Sequence, residues 1–291
     1  SQFSADVFAV EKDGHYTVLM VVSVQQEKGL KGYFSRRGIV YGGPLLLSNF
    51  ENDIEILFNA VQKYLSGKLI YLEIRNYFDY SPIASVLKNC KFEFNEWLNF
   101  QAVTNNAESV FSLMHSTRKR QIKKALKNEA LWHEAKSIED VKVFYNILKD
   151  LYENKVRKPL LPWQFFEEYY AQKVGKILLV YFKDEVIGGI LAPVFKEKVI
   201  YEMYICGLDK EFKEQYPSVI ATWAAIEYAL QNKIAYFDFM GAGAPNKDYG
   251  VREFKAKYGG LLVNHGRYQR VFNPFLYALG KIVIQLKEKF K

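Results

Sequence analysis

The sequence predicts a mixed α+β chain organised as two domains. Its 291 residues allow one large or two ordinary domains, each big enough to bury a core. Short runs of β-formers alternate with runs of helical spacing from end to end. The second half then repeats the strand and helix plan of the first in a more complete form. Composition agrees with a folded globular chain, at 49% hydrophobic and 25% charged residues.

The first half is β-rich and then mixed. Residues 6–10 and 16–24 flank Lys12-Asp13-Gly14, a hairpin signal. Residues 36–40 make a further strand, ended by Gly42-Gly43-Pro44. Residues 53–65 put Ile54, Leu57, Val61 and Leu65 on one helical face, and Ser66-Gly67 stops them. Residues 68–75 are the next strand, and 81–89 a short helix with Pro82 in its first turn. Residues 92–103 alternate as one long strand.

Asn105-Asn106 then opens a single helix expected over 107–130, with Val110, Leu113, Met114 and Thr117 as its buried stripe. Arg118, Lys119, Arg120, Lys123, Lys124 and Lys127 make its second half strongly basic. Two readings stay open: a solvated helix end favoured by the dipole, or a contact surface for phosphate or tRNA. The net charge of +8 suits polyanionic partners and serves solubility equally well.

In the second half, residues 131–137 form a short strand, and Ser137 with Asp140 is a capping signal for the next helix. Ile138, Val141, Tyr145, Leu148 and Tyr152 share one face of that helix, and 163–172 form another. Strands 176–182 and 185–195 pair across Lys183-Asp184, and 198–207 complete the meander. Helix 219–230 leads to a strand at Phe237. Gly241 and Gly243 break that strand and allow backbone angles that other residues resist. Helical spacing resumes over 251–258. A strand that ends in a glycine turn and feeds a helix is a common place to build a site, and is also an ordinary connection. Residues 272–291 close the chain as an amphipathic helix, with Leu276, Leu279, Val283, Ile284 and Leu286 opposite Lys281, Lys287, Glu288 and Lys289. That pattern suits a membrane surface.

Several function classes lack support. Cys90 and Cys206 are far apart without metal-ligand spacing, and a reducing compartment without a bridge is expected. His15, His115, His133 and His265 are scattered, so neither a hydrolase triad nor a metal site is indicated. No stretch approaches the roughly 18–20 apolar residues of a membrane span, and no signal peptide is visible, so a cytoplasmic location is expected.

Three segments carry a resemblance. Asp238, Gly241, Gly243, Gly250, Val251, Phe254, Lys255 and Tyr258 match, residue by residue, the C-terminal motif of the Fem family of peptidoglycan aminoacyltransferases. Residues 116–130 resemble that family's basic segment between domains, and 35–46 resemble its Arg-Gly-x-Val loop. The resemblance implies two GNAT-type (N-acetyltransferase-like) domains in tandem, over 1–128 and 129–273, the first lacking its N-terminal strand and helices. By the family's pattern, helix 274–291 crosses back to pack on the first domain.

The resemblance also implies chemistry: transfer of an acyl or aminoacyl group onto an amine of a cell-envelope precursor. Lys255 would stabilise the tetrahedral oxyanion, and Asp238 would orient the amine or cap its turn. Gly241, Gly243, Tyr258, Arg36 and Tyr204 would contact substrate. For the basic helix the resemblance fixes no ligand, and contact of Arg118, Lys119, Arg120, Lys123 and Lys124 with tRNA stays one of the two readings. No tightly bound cofactor is expected. The donor would be aminoacyl-tRNA rather than acyl-CoA, because acetyl-CoA-dependent GNAT enzymes usually hold pyrophosphate on a glycine-rich turn. Here 209–223 contain no glycine. The loop 155–166 departs from the family, placing Leu161 and Phe165 where an Arg and a Tyr are expected, which leaves the acceptor open. The alternatives are an acyl-CoA-dependent N-acyltransferase of surface-polysaccharide synthesis and a degenerate GNAT pair that only binds. Peripheral contact with a membrane is a further possible partnership.

Overall fold

The computed structural model describes residues 2–27, 29–47 and 51–289. They form two compact units, Ser1–Trp97 with Asn264–Lys291, and Leu98–Val263. Unit 1 opens with a hairpin of β1 (Gln2–Lys12) and β2 (His15–Gln26), whose turn residues Asp13 and Gly14 both have positive φ. There follow α1 (Leu30–Tyr33), β3 (Arg37–Tyr41), β4 (Leu45–Leu46), α2 (Glu51–Leu65) and β5 (Tyr71–Arg75). A 3₁₀ turn (Ser81–Ile83), α3 (Ala84–Asn89) and β6 (Glu93–Asn95) come next.

Unit 2 begins with β7 (Asn99–Val103), α4 (Ala107–Leu113), α5 (Ser116–Lys127) and β8 (Ala130–Glu134). Helix α6 (Ile138–Leu151) carries the capping box that Ser137 and Asp140 foretell, and ends in a π-helical turn, Tyr152–Val156. Then come α7 (Trp163–Ala171), β9 (Gly175–Phe182), β10 (Glu185–Phe195), β11 (Val199–Tyr201) and β12 (Tyr204–Gly207). Helix α8 (Pro217–Gln231), β13 (Tyr236–Asp238), α9 (Gly250–Ala256) and β14 (Leu261–Val263) complete this unit. The chain then returns to unit 1 with β15 (Arg267–Val271) and α10 (Pro274–Lys289).

The sheet of unit 1 runs β1-β2-β3-β5-β15-β6, with β4 paired to β2. Val18, Met20 and Val22 alternate inward from β2 onto Ile54, Leu57, Phe58 and Val61 of α2. In unit 2 the order is β14-β7-β13-β11-β10-β9-β8, with β12 paired to β10. Alternation along β9 and β10 gives this sheet two apolar faces. Leu178, Val180, Ile190 and Ala192 meet α8 on one, and Leu179 and Leu191 meet Phe144, Leu148 and Phe166 on the other. Helix α8 is apolar nearly all round and buried along its length, as such a helix must be.

Several expectations are corrected. The long strand over 92–103 is two strands in two sheets: Trp97 N donates to Asn264 Oδ1 (3.0 Å), while Leu98 N turns to Gly243 O (2.9 Å). The units therefore part after Trp97 rather than at 128, and 264–273 lie with unit 1 rather than with the second domain. The single helix over 107–130 breaks at Met114, whose backbone is extended, and His115 Nδ1 restarts it by accepting Thr117 N. Leu113, expected in the buried stripe, is exposed. The strand over 198–207 is interrupted at Glu202–Met203.

Helix α10 lies with unit 1, where Tyr277 packs edge-on against Tyr71 and donates to Gln269 Oε1 (2.6 Å). Its Leu279 and Val283, expected on the buried side, are exposed together with Phe275 and Ile282. The side chains of Ile284, Leu286, Lys287, Glu288 and Lys289 lie outside the described residues. Among the described residues no helix is long and apolar enough to cross a membrane. Cys90 and Cys206 are buried and unpaired, one in each unit.

Candidate functional site

Strands β11 and β13 run parallel from Val199↔Tyr236 to Tyr201↔Asp238, and there their pairing stops. Glu202 N donates to Asp238 O (2.9 Å) as the last rung. Beyond it the chain swings away as β12, which pairs with β10. After β13, Met240, Gly241 and Gly243 take φ of 54°, 119° and 82°. The reversal at Gly243 also admits no side chain, since a Cβ there would come within 2.9 Å of the Tyr249 ring. A splay between two parallel strand ends, closed by a glycine turn, is the frame of the site.

Lys255 enters this frame from α9 and is buried. Its ammonium donates to Phe239 O and to Gly241 O (2.9 Å), and pairs with Glu202 Oε1 at 3.0 Å. An ammonium has three protons, and these three acceptors account for all of them. Glu202, 3% exposed at its side chain, also accepts from Thr222 Oγ1 of α8 (3.1 Å). The pair therefore ties the turn after β13, the break between β11 and β12, and helix α8 to one point.

Asp238 is equally enclosed. Its Oδ1 accepts from Asn99 Nδ2 (2.8 Å) and Met240 N (2.7 Å), and its Oδ2 from Gln101 Nε2 (2.9 Å). Asn99 Oδ1 in turn accepts Gly241 N (2.7 Å). This is the geometry of a turn anchor linking β13 to β7. Arg252 staples the glycine turn: its guanidinium donates to the carbonyls of Ala242, Ala244 and Pro245.

The remaining sequence candidates divide. Gly241 and Gly243 are in the frame. Tyr258 is not a surface for substrate: it is 1% exposed, its hydroxyl donates to Val219 O (2.8 Å), and burial pushes its pKa upward. Arg118 is likewise withdrawn from the basic surface. It is 2% exposed between the rings of Phe254 and Tyr258 and donates to Phe254 O (2.8 Å), with burial lowering its pKa. Lys124 pairs with Glu214 at 2.5 Å, whereas Arg120 and Lys123 stand exposed and Lys119 half-buried. Tyr204, half-buried on β12, packs against Tyr152 and Phe166. Arg36 is an exposed residue of unit 1.

Sequence reading missed Glu202, Thr222, Asn99 and Gln101. Lone polar residues inside apolar runs such as VIYEMYICG and VIATWAAI were the available signal, because burial of such groups demands partners.

The start of α8 is the other chemically informative point. Pro217 has no N–H, Ser218 N donates to Asp209 Oδ1 (3.0 Å), and Val219 N and Ile220 N both return to Tyr216 O. Ser218 Oγ donates to Asp209 Oδ2 (2.5 Å). Every amide of the first turn is committed, and a carboxylate holds that of Ser218.

Comparison with known proteins agrees with this architecture. A family model for the acetyltransferase (GNAT) domain matches residues 114–255. The structure of FemX superposes with a TM-score of 0.69 at 14% identity, covering 95% of this chain and 90% of that one. L-PGS from Bacillus licheniformis gives 0.63 at 13%, covering 94% and 88%. The C-terminal domain of a putative lysylphosphatidylglycerol synthetase from Agrobacterium fabrum gives 0.64 at 12%, covering 97% and 87%. No curated protein sequence matches. The chain has a Fem-like tandem GNAT fold, and the splay of β11 and β13 lies within the residues that match the acetyltransferase (GNAT) domain model.

Proposed function

We propose that this protein transfers an aminoacyl group, from aminoacyl-tRNA rather than from acyl-CoA, onto an amine of a cell-envelope precursor. The GNAT domain supports acyl transfer. The donor class rests on one observation, the committed N-terminus of α8. In acetyl-CoA-dependent GNAT enzymes the pyrophosphate is held at this turn by free amides and the helix dipole. Here Asp209 already accepts Ser218 N and Ser218 Oγ, so a phosphate would meet a resident negative charge and no free donor. The acceptor class draws on the neighbours, FemX and an enzyme named for joining a lysyl group to a phospholipid.

Within this reading the reaction occurs at the strand splay. Lys255 stabilises the oxyanion by exchanging one of its carbonyl partners for the substrate oxygen. Gly241 O is the one to exchange, since it lies on the glycine turn whereas Glu202 is fixed by charge. The test offers the full chain aminoacyl-tRNA and acetyl-CoA in parallel, each labelled, with an extract of envelope precursors. Label should pass from aminoacyl-tRNA to an amine, and acetyl-CoA should give no binding isotherm. Saturable acetyl-CoA binding with acetyl transfer would overturn the donor assignment.

The saturation of Lys255 by three protein acceptors favours a second reading, a GNAT pair that binds without transferring. Turnover with any acyl donor removes it.

A further inference from the structure

Unit 1 holds a second polar cluster, on the sheet face opposite its core. Leu72 and Ile74 of β5, Val40 of β3 and Tyr268 of β15 point into the core. By alternation Tyr71, Glu73 and Arg75, with Arg37, Tyr41 and Arg267, lie on the other face. In the antiparallel register of β15 and β5, Arg267 stands directly opposite Arg75. Like charges in that position repel, so the sheet gains nothing from the pair.

The two guanidiniums converge on one atom. Glu73 Oε1 accepts from Arg75 Nε (2.7 Å) and from Arg267 Nη1 (3.1 Å). Among the described residues these are the guanidinium hydrogen bonds of Arg75 and Arg267, which leaves most of their side-chain N–H groups uncommitted. Each is held in orientation by an aromatic ring: Arg267 lies 3.5 Å over Trp97, and Arg75 lies 5.4 Å from the centre of Tyr41. Arg37 adds a third cation nearby and is held by Gln25 Oε1 (3.3 Å). One carboxylate thus faces three guanidiniums. The side chains remain reachable, at 30% exposure for Arg75 and 16% for Arg267. Burial, only partly offset by Glu73 and aggravated by Arg75, pushes the Arg267 pKa down to about 10.

We propose that Arg75 and Arg267, flanked by Arg37, form a binding site for a compact phosphoryl oxyanion such as the diphosphate of a small molecule. The surplus positive charge calls for a multiply charged anion, and guanidinium edges match phosphoryl oxygens in geometry. Convergence on a single atom suits one compact group better than a nucleic-acid backbone, whose phosphates are spread along a strand. A local conflict held in place by its surroundings is where function is expected. The site does not rest on the acyl-transfer reading, and its test is separate from that one.

Calorimetric titration of the full chain at low ionic strength, with inorganic pyrophosphate and with a nucleoside diphosphate, tests this. Saturable one-to-one binding is expected. Arg75→Gln and Arg267→Gln should each weaken it by about tenfold or more, the loss of a charge-assisted contact. The control Lys88→Gln, an exposed charge of the same unit, should leave it unchanged. Glu73→Gln removes the resident acceptor and should tighten binding, a readout available even if an arginine variant fails to fold. Tighter binding of the nucleoside diphosphate than of pyrophosphate would identify the nucleotide as the source of the group. Absence of saturable binding by either probe, equal weakening by Lys88→Gln, or no tightening in Glu73→Gln would each overturn the proposal.

Discussion

Lys255 illustrates how one side chain can serve stability and chemistry together. Removing it leaves Glu202 as an unpaired buried carboxylate, so Lys255→Met should lower unfolding free energy by about 3–5 kcal/mol. Denaturant titration measures that loss. Lys255→Met with Glu202→Met removes both charges and should recover most of it, since the penalty belongs to the stranded partner. Activity then separates the roles. If Lys255 stabilises the oxyanion, the double variant should be folded and slowed by about a hundred- to a thousandfold. A folded double variant with full activity would leave Lys255 a purely structural residue. Asp209→Ala is the complementary change at the start of α8. Losing this capping carboxylate should cost about 1 kcal/mol, read as a lower denaturation midpoint.

At the scale of elements, helix α5 is the part of the basic surface that survives the structure. Arg118 is inside the fold and Lys124 is paired, so of the five residues expected at tRNA it is Arg120 and Lys123 that stay exposed outside the ion pair with Glu214. If they contact phosphates, reversing both should make the dependence of log affinity on log salt shallower by roughly 1.5. A filter-binding salt series reads this slope, and an unchanged slope removes α5 from the interface. Periodicity made the helices and the long strands of both units legible. It could not show that Arg118 faces inward, because the residue is drawn there by the rings of Phe254 and Tyr258, distant in sequence. Strands β14 and β15 were invisible for a related reason. Leu261–Val263 is too short for a period, and Arg267–Val271 carries arginines on both faces. The site was half legible: the glycine turn and Lys255 announced themselves, while Glu202 and Asn99 became visible only through their partners.

For the molecule as a whole, the decisive feature is that unit 1 is discontinuous. Strand β15 lies between β5 and β6, and Tyr268 contributes to the core. Deleting residues 264–291 should therefore unfold unit 1 while unit 2, continuous over Leu98–Val263, keeps its fold. Hydrogen exchange of the truncated chain should show β5 and α2 losing protection and β10 and α8 retaining it. Full protection of β5 in that chain would show that β15 is dispensable. The reading of 92–103 as one strand also belongs to this scale. Both strands have sound β patterning, and only long-range pairing, β6 with β15 and β7 with β13, sends them into separate sheets.

The late return of β15 sets a timetable for biosynthesis. Domains generally fold in the order in which they leave the ribosome. Here the first unit to begin is the last to be completed, because all of Leu98–Val263 must be made before its missing strand appears. At about 5–20 residues per second that interval is on the order of ten to thirty seconds. Throughout it, the backbone of β5 presents an open edge to whatever other nascent chain or chaperone is near, with β6 still awaiting its partner.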